Sequence, residues 1–192
     1  MNSRALTVYD LIKPSTLARE IPLLLAFNLL LVGCSYLAFS VPFSPVPITG
    51  QTFGVLLIGM ALGRTRGAAV VLAYLMEGIA GLPVFAGGNA GPAALMGPTG
   101  GYLVGFLLAA WLVGWMADKG WDRSYVHSVL AMTIGTAVVL VSGLAQLSFF
   151  VPGAALFQAG LGPFLPGAGV KIAAAAVLLP TVWKFVGRRN QD

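Results

Sequence analysis

Charged residues are scarce in this sequence: Asp, Glu, Lys and Arg together make up 9% of its 192 residues, whereas soluble domains carry about 25%. Hydrophobic residues account for 58% of the chain. Long apolar segments with so few charges are typical of transmembrane helices. The composition therefore predicts an integral membrane protein. The net charge of +5 does not indicate a nucleic-acid partner, because in a membrane protein the informative quantity is the side on which the charges lie.

Cysteine and histidine are almost missing as well. With Cys34 and His127 as the sole residues of their types, the chain forms no intrachain disulfide and shows no metal-ligand spacing. The glycine runs GPTGG and AGGNAG are not followed by the Lys-Ser/Thr of a phosphate-binding loop, so no nucleotide site is expected. A catalytic site needs a nucleophile with a base, or paired carboxylates. Away from the charged connections only Glu77 and Lys171 are ionisable, so we expect no enzyme.

What the chain has in abundance is apolar runs. No charge occurs between Glu20 and Arg64, and the prolines of VPFSPVPITG at 41–50 divide that stretch into two spans. The pattern predicts an all-α membrane protein, one domain over 1–192, with a cytoplasmic segment 1–20. The six predicted transmembrane helices are roughly 21–40, 49–63, 67–80, 99–117, 127–149 and 167–186.

The basic residues fall on alternate connections of this six-helix arrangement. The outer connections 41–48, 81–98 and 150–166 contain neither acids nor bases. By the positive-inside rule, both termini are predicted to be cytoplasmic in a multi-pass protein of the cell membrane. The basic residues on the cytoplasmic side are Arg4, Lys13, Arg19, Arg64, Arg66, Lys119, Arg123, Lys184, Arg188 and Arg189.

Two charges do not belong to that cytoplasmic set. At 1.5 Å per residue, Lys171 lies about 20 Å from Lys184, and Glu77 lies about 16 Å from Arg66. Both are thus expected in the outer half of the bundle, where an ionisable side chain predicts a functional site. A plainer interpretation of Lys171 is that its ammonium reaches outward to the interface or pairs with Glu77. Glu77 could equally cap the loop backbone.

The loop at 78–102 predicts a small-molecule pocket. Its length, about twenty residues without expected regular structure, is unusual for a compact protein, and its glycines permit close backbone approach. Polar side chains are few, as in pockets that are mostly apolar with a few hydrogen-bonding groups. The polar candidates are Asn89, Thr99 and Tyr102 in and after this loop, and Thr49, Gln51 and Thr52 after the first outer loop.

Three motifs carry a family resemblance. They are PVPITGQTFGVLLIGMALG at 45–63, YLMEGIAGLPVFAGG with GPTGGYLVGF at 74–88 and 97–106, and PFLPGAGVK at 163–171. In this order they resemble the biotin-specific substrate-binding subunits, the BioY family, of energy-coupling factor (ECF) transporters. The resemblance implies six helices, an outward-facing pocket for biotin, and no cofactor of its own. It also implies partners: an ECF transmembrane coupling protein and two ATPase subunits that supply the ATP-driven step.

The resemblance extends to individual residues. Lys171 matches the lysine of the third motif and is expected to meet either the carboxylate or the ureido carbonyl of biotin. The other polar residues expected to bind substrate are Asn89, Gln51, Thr99, Tyr102, Glu77 and Tyr74. The expected apolar walls are Phe85, Val84 and Phe164. Tyr74 and Gln51 also fit plainer roles, as an interfacial aromatic and a helix-start residue.

One position departs from the family pattern. Members commonly carry an acid three residues before the lysine, where this chain has Ala168. Either Glu77 or a loop carbonyl replaces that acceptor, or the affinity for biotin is lower, or the favoured ligand is a relative of biotin such as a precursor. The sequence is also compatible with a substrate-binding subunit for another vitamin and with a membrane scaffold or enzyme that has an outer groove. It leaves open whether the subunit works alone, as a homo-oligomer or with the coupling module, and how it contacts lipid.

Overall fold

A computed structural model of the chain describes residues 7–9 and 16–189. Side chains are described only as far as Trp183. Within this described part, seven α-helices follow one another, together with a two-stranded ribbon. The ribbon pairs β1 (Ala38–Phe39) antiparallel to β2 (Ile48–Thr49). The helices are α1 (Leu17–Tyr36), α2 (Gln51–Ile79), α3 (Pro92–Met96), α4 (Gly100–Ala117), α5 (Tyr125–Leu147), α6 (Gly153–Gly160) and α7 (Phe164–Arg189).

Helix α2 holds two of the predicted spans. It reverses at Gly63, whose φ of 76° lies in the left-handed region that glycine enters without steric cost. The two arms on either side, 51–62 and 64–79, then run back along each other. A Cβ on Gly67 would lie 2.8 Å from the Cα of Gly59, so the two arms touch through glycine. With this reversal, the described residues contain the six predicted spans.

The core lies where α4 is enclosed by α2 and α5. Gly59 packs on the Ala110 backbone, Gly105 on Val139, and Gly114 on the backbone at Arg64. Close approach through small residues is how helices associate where the surrounding lipid is as apolar as their side chains. Helix α1 packs chiefly on α2, and α7 on α5 and α2.

The outer surface of the bundle is apolar. Large side chains such as Leu29 and Val141 are 68% and 67% exposed, and five helical stretches are long and apolar enough to cross a membrane among the residues described. A surface of this kind is stable in hydrocarbon and not in water. The chain is a multi-pass membrane protein.

Charged residues gather at one end of the bundle, which we call the charged end: the start of α1, the α2 reversal, and the α4–α5 connection. Arg66 forms an ion pair with Glu20 at 2.7 Å, and the Arg123 guanidinium lies 4.6 Å from the Trp183 ring centre. The predicted basic residues Arg4 and Lys13 lie outside the described residues, as do the side chains of Lys184, Arg188 and Arg189. That 1–192 forms one domain stays a prediction.

The opposite end, which we call the loop end, comprises the ribbon and the connections 80–99 and 148–163. The prediction that 78–102 lacks regular structure is wrong, because α3 begins with Pro92 at its first position after Gly91, an arrangement that favours helix initiation. The connection 150–166 likewise contains α6.

Candidate functional site

A cavity of about 380 Å³ opens at the loop end, within the range of about 300–1,000 Å³ seen for small-molecule sites. Its walls come from 45–56, from 85–99, and from the inner faces of α4, α5 and α7. Most of its lining is apolar. The polar side chains in the lining are Thr49, Gln51, Thr52, Asn89, Thr99, Tyr102, Thr136 and Lys171.

Lys171 supplies the charge of this cavity. No Asp or Glu occurs among the described residues that line it. The Lys171 ammonium donates a hydrogen bond to the carbonyl of Thr49, which fixes its position between α7 and β2. An ammonium has three N–H donors, so two remain for a ligand. The cavity thus presents a cation, without a competing carboxylate, to whatever enters it.

Residues outside the cavity hold its aromatic side chains in place. The Tyr102 hydroxyl donates to the carbonyl of Gly160 at 2.9 Å, and its ring lies 5.8 Å from the Phe164 ring. In the segment 85–99 of the lining, Phe85 meets Tyr74 edge to face at 5.5 Å, an orientation that aromatic pairs favour. A Cβ at Gly78 would collide with the Phe85 ring. These contacts hold the rings of Phe85, Tyr102 and Phe164 in the cavity lining.

Asn89 stands in the tight turn that follows Phe85. The Phe85 N–H donates to the carbonyl of Asn89 at 3.1 Å, and the side-chain amide of Asn89 donates to the carbonyl of Ala86 at 2.9 Å. That contact uses a donor of the Asn89 amide and leaves its oxygen as an acceptor for a ligand N–H.

Of the ten residues that the sequence nominates, seven line the cavity: Gln51, Phe85, Asn89, Thr99, Tyr102, Phe164 and Lys171. Ala168, the position that departs from the family pattern, also lies in the lining. One helical turn before Lys171, it shares a face of α7 with the lysine.

Tyr74, Val84 and Glu77 are not among the lining residues. Tyr74 is buried and accepts a hydrogen bond from Gln51 at 2.6 Å. Glu77 accepts one from Asn28 of α1 at 3.1 Å. The structure thus places the Glu77 carboxylate against α1 and Lys171 against Thr49, which differs from the suggested pairing of the two. The physical reason is that distance along the chain gives only the depth of a residue in the bundle. It does not give the direction in which the side chain points from the axis of α2.

Thr136 and Met132 of α5 also line the cavity, and sequence reasoning missed both. The Thr136 hydroxyl donates to the carbonyl of Met132 at 2.8 Å, a bond that threonine commonly makes inside apolar helices. Nothing in the sequence distinguishes such a threonine from any other. Gln146 of α5 donates hydrogen bonds to the carbonyls of Leu95 in α3 and of Gly97, which ties the connection 80–99 to α5.

The cavity can bind and orient a small molecule, and Lys171 is the charged side chain in its described lining. No cluster of His, Cys, Asp and Glu suited to a metal ion occurs within 7–9 and 16–189. The lining offers a single cation, amide and hydroxyl groups, and aromatic walls. Such a lining fits an amphipathic anion with a polar ring.

Comparison with known proteins places the chain among membrane transport components. The family model described as "BioY family" matches residues 3–188. The biotin transporter BioY of Thermotoga maritima is 36% identical over 140 residues, 72% of this chain and 82% of that protein. The biotin transporter BioY of Rhizobium etli is 34% identical over 170 residues, 83% of this chain and 90% of that protein.

A solved structure agrees with the fold. The crystal structure of the S-component for biotin from an ECF-type ABC transporter superposes with a TM-score of 0.78 at 28% identity, covering 89% of this chain and 95% of that one. The family match over nearly the whole chain, together with these relatives, shows that the chain belongs to the BioY family.

Proposed function

We propose that this chain is the S-component that captures biotin for an ECF transporter, and that the cavity at the loop end is its binding site. The observation that carries the proposal is a cavity with a lysine and no carboxylate in its described lining. Biotin has one carboxylate, a ureido ring with two N–H donors and a carbonyl, and an apolar thioether ring. Each of these parts has a counterpart in the cavity.

In the proposed complex, Lys171 neutralises the carboxylate or donates to the ureido carbonyl. A charge-assisted bond of either kind is roughly twice as strong as a neutral one. The Asn89 side-chain oxygen accepts from a ureido N–H, and the Phe85 and Phe164 rings flank the thioether ring. Gln51, Thr99 and Tyr102 complete the polar lining. Tyr74, Val84 and Glu77 support the walls from behind.

The proposed orientation puts the charged end in the cytoplasm and the loop end outside the cell membrane. Arg66, Lys119 and Arg123 all lie at the charged end, and an excess of Lys and Arg marks cytoplasmic connections. Biotin then enters from outside. The chain is a transport component and not an enzyme, so the ATP-driven step belongs to a coupling protein and ATPase subunits.

Equilibrium binding of biotin to the chain purified in detergent tests this proposal. We expect one biotin per chain, with a dissociation constant far below millimolar. Biotin amide, which lacks the negative charge, is the matched ligand: weaker binding of the amide to the unsubstituted chain, and equal binding of both to Lys171→Ala, would place Lys171 at the carboxylate. Affinity for biotin no tighter than millimolar would rule the function out.

Dethiobiotin distinguishes a second candidate function, uptake of a biotin precursor. The observation that favours this candidate is Ala168 in the lining, a small side chain where the family pattern has an acid, so that the cavity beside Lys171 differs from the pattern typical of biotin binding. Dethiobiotin keeps the carboxylate and the ureido ring but lacks the thioether ring. Tighter binding of dethiobiotin than of biotin would favour the precursor.

A further inference from the structure

The peptide unit between Val84 and Phe85 is held by side chains from two helices. Its carbonyl, on Val84, accepts one hydrogen bond from the Ser35 hydroxyl at 2.6 Å and another from the Tyr74 hydroxyl at 2.9 Å. Ser35 and Tyr74 are both fully buried. The Ser35 hydroxyl also lies 2.7 Å from the carbonyl of Val32, so its single proton is shared between two acceptors, whereas the Tyr74 hydroxyl donates to the Val84 carbonyl alone.

The other side of the same peptide unit belongs to the turn 85–89. The Phe85 N–H donates to the carbonyl of Asn89, which closes the turn 85–89. Because a peptide unit is planar, fixing the Val84 carbonyl also fixes the direction of the Phe85 N–H and of the turn that it closes. That turn contributes Phe85, Ala86 and Asn89 to the cavity.

The two donors come from different parts of the bundle. Tyr74 lies on the second arm of α2, and its hydroxyl accepts a hydrogen bond from the Gln51 side chain at 2.6 Å, so a lining residue on the first arm joins the chain of bonds. Ser35 lies near the end of α1, the candidate span with the smallest buried share, 17%. The cavity wall is thus attached to the most peripheral of these helices.

We propose that Ser35 and Tyr74 are positioning residues for ligand binding: by sharing the Val84 carbonyl they hold the turn 85–89 in its binding geometry and attach it to α1. The effect on biotin affinity rests on the proposed function, whereas the effect on the turn itself does not. Loss of one donor leaves the carbonyl with the other. Loss of both leaves a buried carbonyl without a partner and adds the full desolvation penalty of that group.

The test compares Ser35→Ala, Tyr74→Phe and the double variant with the unsubstituted chain. Tyr36→Phe is the matched control, because the Tyr36 hydroxyl donates to the neighbouring Pro83 carbonyl at 2.6 Å on the exposed side of the same loop. We expect biotin affinity to fall about threefold for Ser35→Ala and about tenfold for Tyr74→Phe, which also deprives Gln51 of an acceptor. The biotin affinity of the double variant should fall about 100-fold, which is more than the product of the two single effects. The affinity of Tyr36→Phe should fall less than about twofold.

Hydrogen exchange on the ligand-free protein provides a readout that does not depend on biotin. Amides of 82–91 should exchange faster in Ser35→Ala than in the unsubstituted chain, and at unchanged rates in Tyr36→Phe. If the amides of 82–91 exchange at unchanged rates in Ser35→Ala, the proposal is overturned, even where the double variant fails to fold. A folded double variant with unchanged biotin affinity overturns it too. Absence of biotin binding to the unsubstituted chain would refute the proposed function, and exchange would still decide the role of Ser35.

Discussion

At the charged end of the bundle, charged and aromatic side chains meet in direct contacts, whereas at the loop end neutral side chains hold the backbone. Arg66 pairs with Glu20, and the Lys119 ammonium lies 3.6 Å from the Trp115 ring centre. At the other end, the Ser35, Tyr74 and Tyr102 hydroxyls donate to loop carbonyls.

This difference leaves Lys171 as a cation among neutral groups. At the charged end, Arg66 lies beside a carboxylate and Lys119 over an aromatic ring. Lys171 instead lies in a cavity whose described lining has no carboxylate, so an anionic ligand offers it a counter-charge. The comparison teaches that charges at one end contact one another and aromatic rings, whereas the charge at the other end lies where the proposed anionic ligand would meet it.

The largest expected effect is at the lysine itself. Lys171→Ala should weaken biotin binding by about 1.5–3 kcal/mol, because it removes a hydrogen bond to a charged group. Lys119→Ala, at the charged end, is the control and should leave affinity unchanged. Isothermal titration of the two purified variants measures the difference. Equal affinities would show that the two ends do not differ in the way described.

The buried carboxyl at the charged end gives the second effect. Asp122 is fully buried, and burial raises its pKa to about 6, against the opposing influence of the Trp183 hydrogen bond and the Arg123 charge. Since the folded pKa lies above the unfolded value of 3.8, the stabilisation is complete below about pH 4 and is lost as pH rises to about 6.

Asp122→Asn should remove this pH dependence, a contribution of up to about 3 kcal/mol at roughly 1.4 kcal/mol per pKa unit. Thermal unfolding of the detergent-purified protein between about pH 4 and pH 7 measures it. The decline in stability over that range should be steeper in the unsubstituted chain than in Asp122→Asn. Parallel profiles for the two proteins would contradict the assignment.

The α2 reversal should respond to loss of its glycine. Gly63→Ala should destabilise the protein by about 1–2 kcal/mol, because alanine disfavours the left-handed region and its Cβ would meet the Asp118 carboxylate. Gly33→Ala is the matched control, since a Cβ there meets nothing within 4 Å and alanine favours a helix. Thermal unfolding should show a loss for Gly63→Ala and none for Gly33→Ala.

The smallest effect is expected at Glu77. Glu77 lies outside the cavity lining, and its carboxylate accepts a hydrogen bond from Asn28. Glu77→Gln keeps an acceptor for that bond, so it should change biotin affinity less than about twofold. Titration against the unsubstituted chain measures this. A loss of about tenfold or more would return Glu77 to the binding site that the sequence suggested.

The sequence was a good guide to what depends on position along the chain. Charge-free stretches and proline clusters predicted the spans, and the distance from Lys184 predicted that Lys171 lies towards the loop end, where the cavity is found. Helix ends moved by a few residues, as for α1, which begins at Leu17 rather than near 21. These features follow from local composition, which the membrane constrains strongly.

What the sequence could not predict depends on rotation and on bonds between distant segments. Glu77 and Lys171 have similar depths, yet one faces α1 and the other the cavity. Val84 looked like a wall residue, whereas its carbonyl is the acceptor for Ser35, 49 residues away. Neutral donors such as serine and tyrosine leave no pattern that distinguishes a tertiary hydrogen bond from an exposed side chain.

The most direct test of the central claim asks whether biotin occupies the cavity beside Lys171. Ala168→Cys puts a thiol in the lining one turn from the lysine, and Gly153→Cys puts one on the surface at the start of α6, while the native Cys34 is buried. Modification by a maleimide is followed with and without biotin at about 100 times its dissociation constant. We predict that biotin slows modification of Ala168→Cys at least about tenfold and leaves Gly153→Cys unchanged. Equal modification rates of Ala168→Cys with and without biotin would contradict the account.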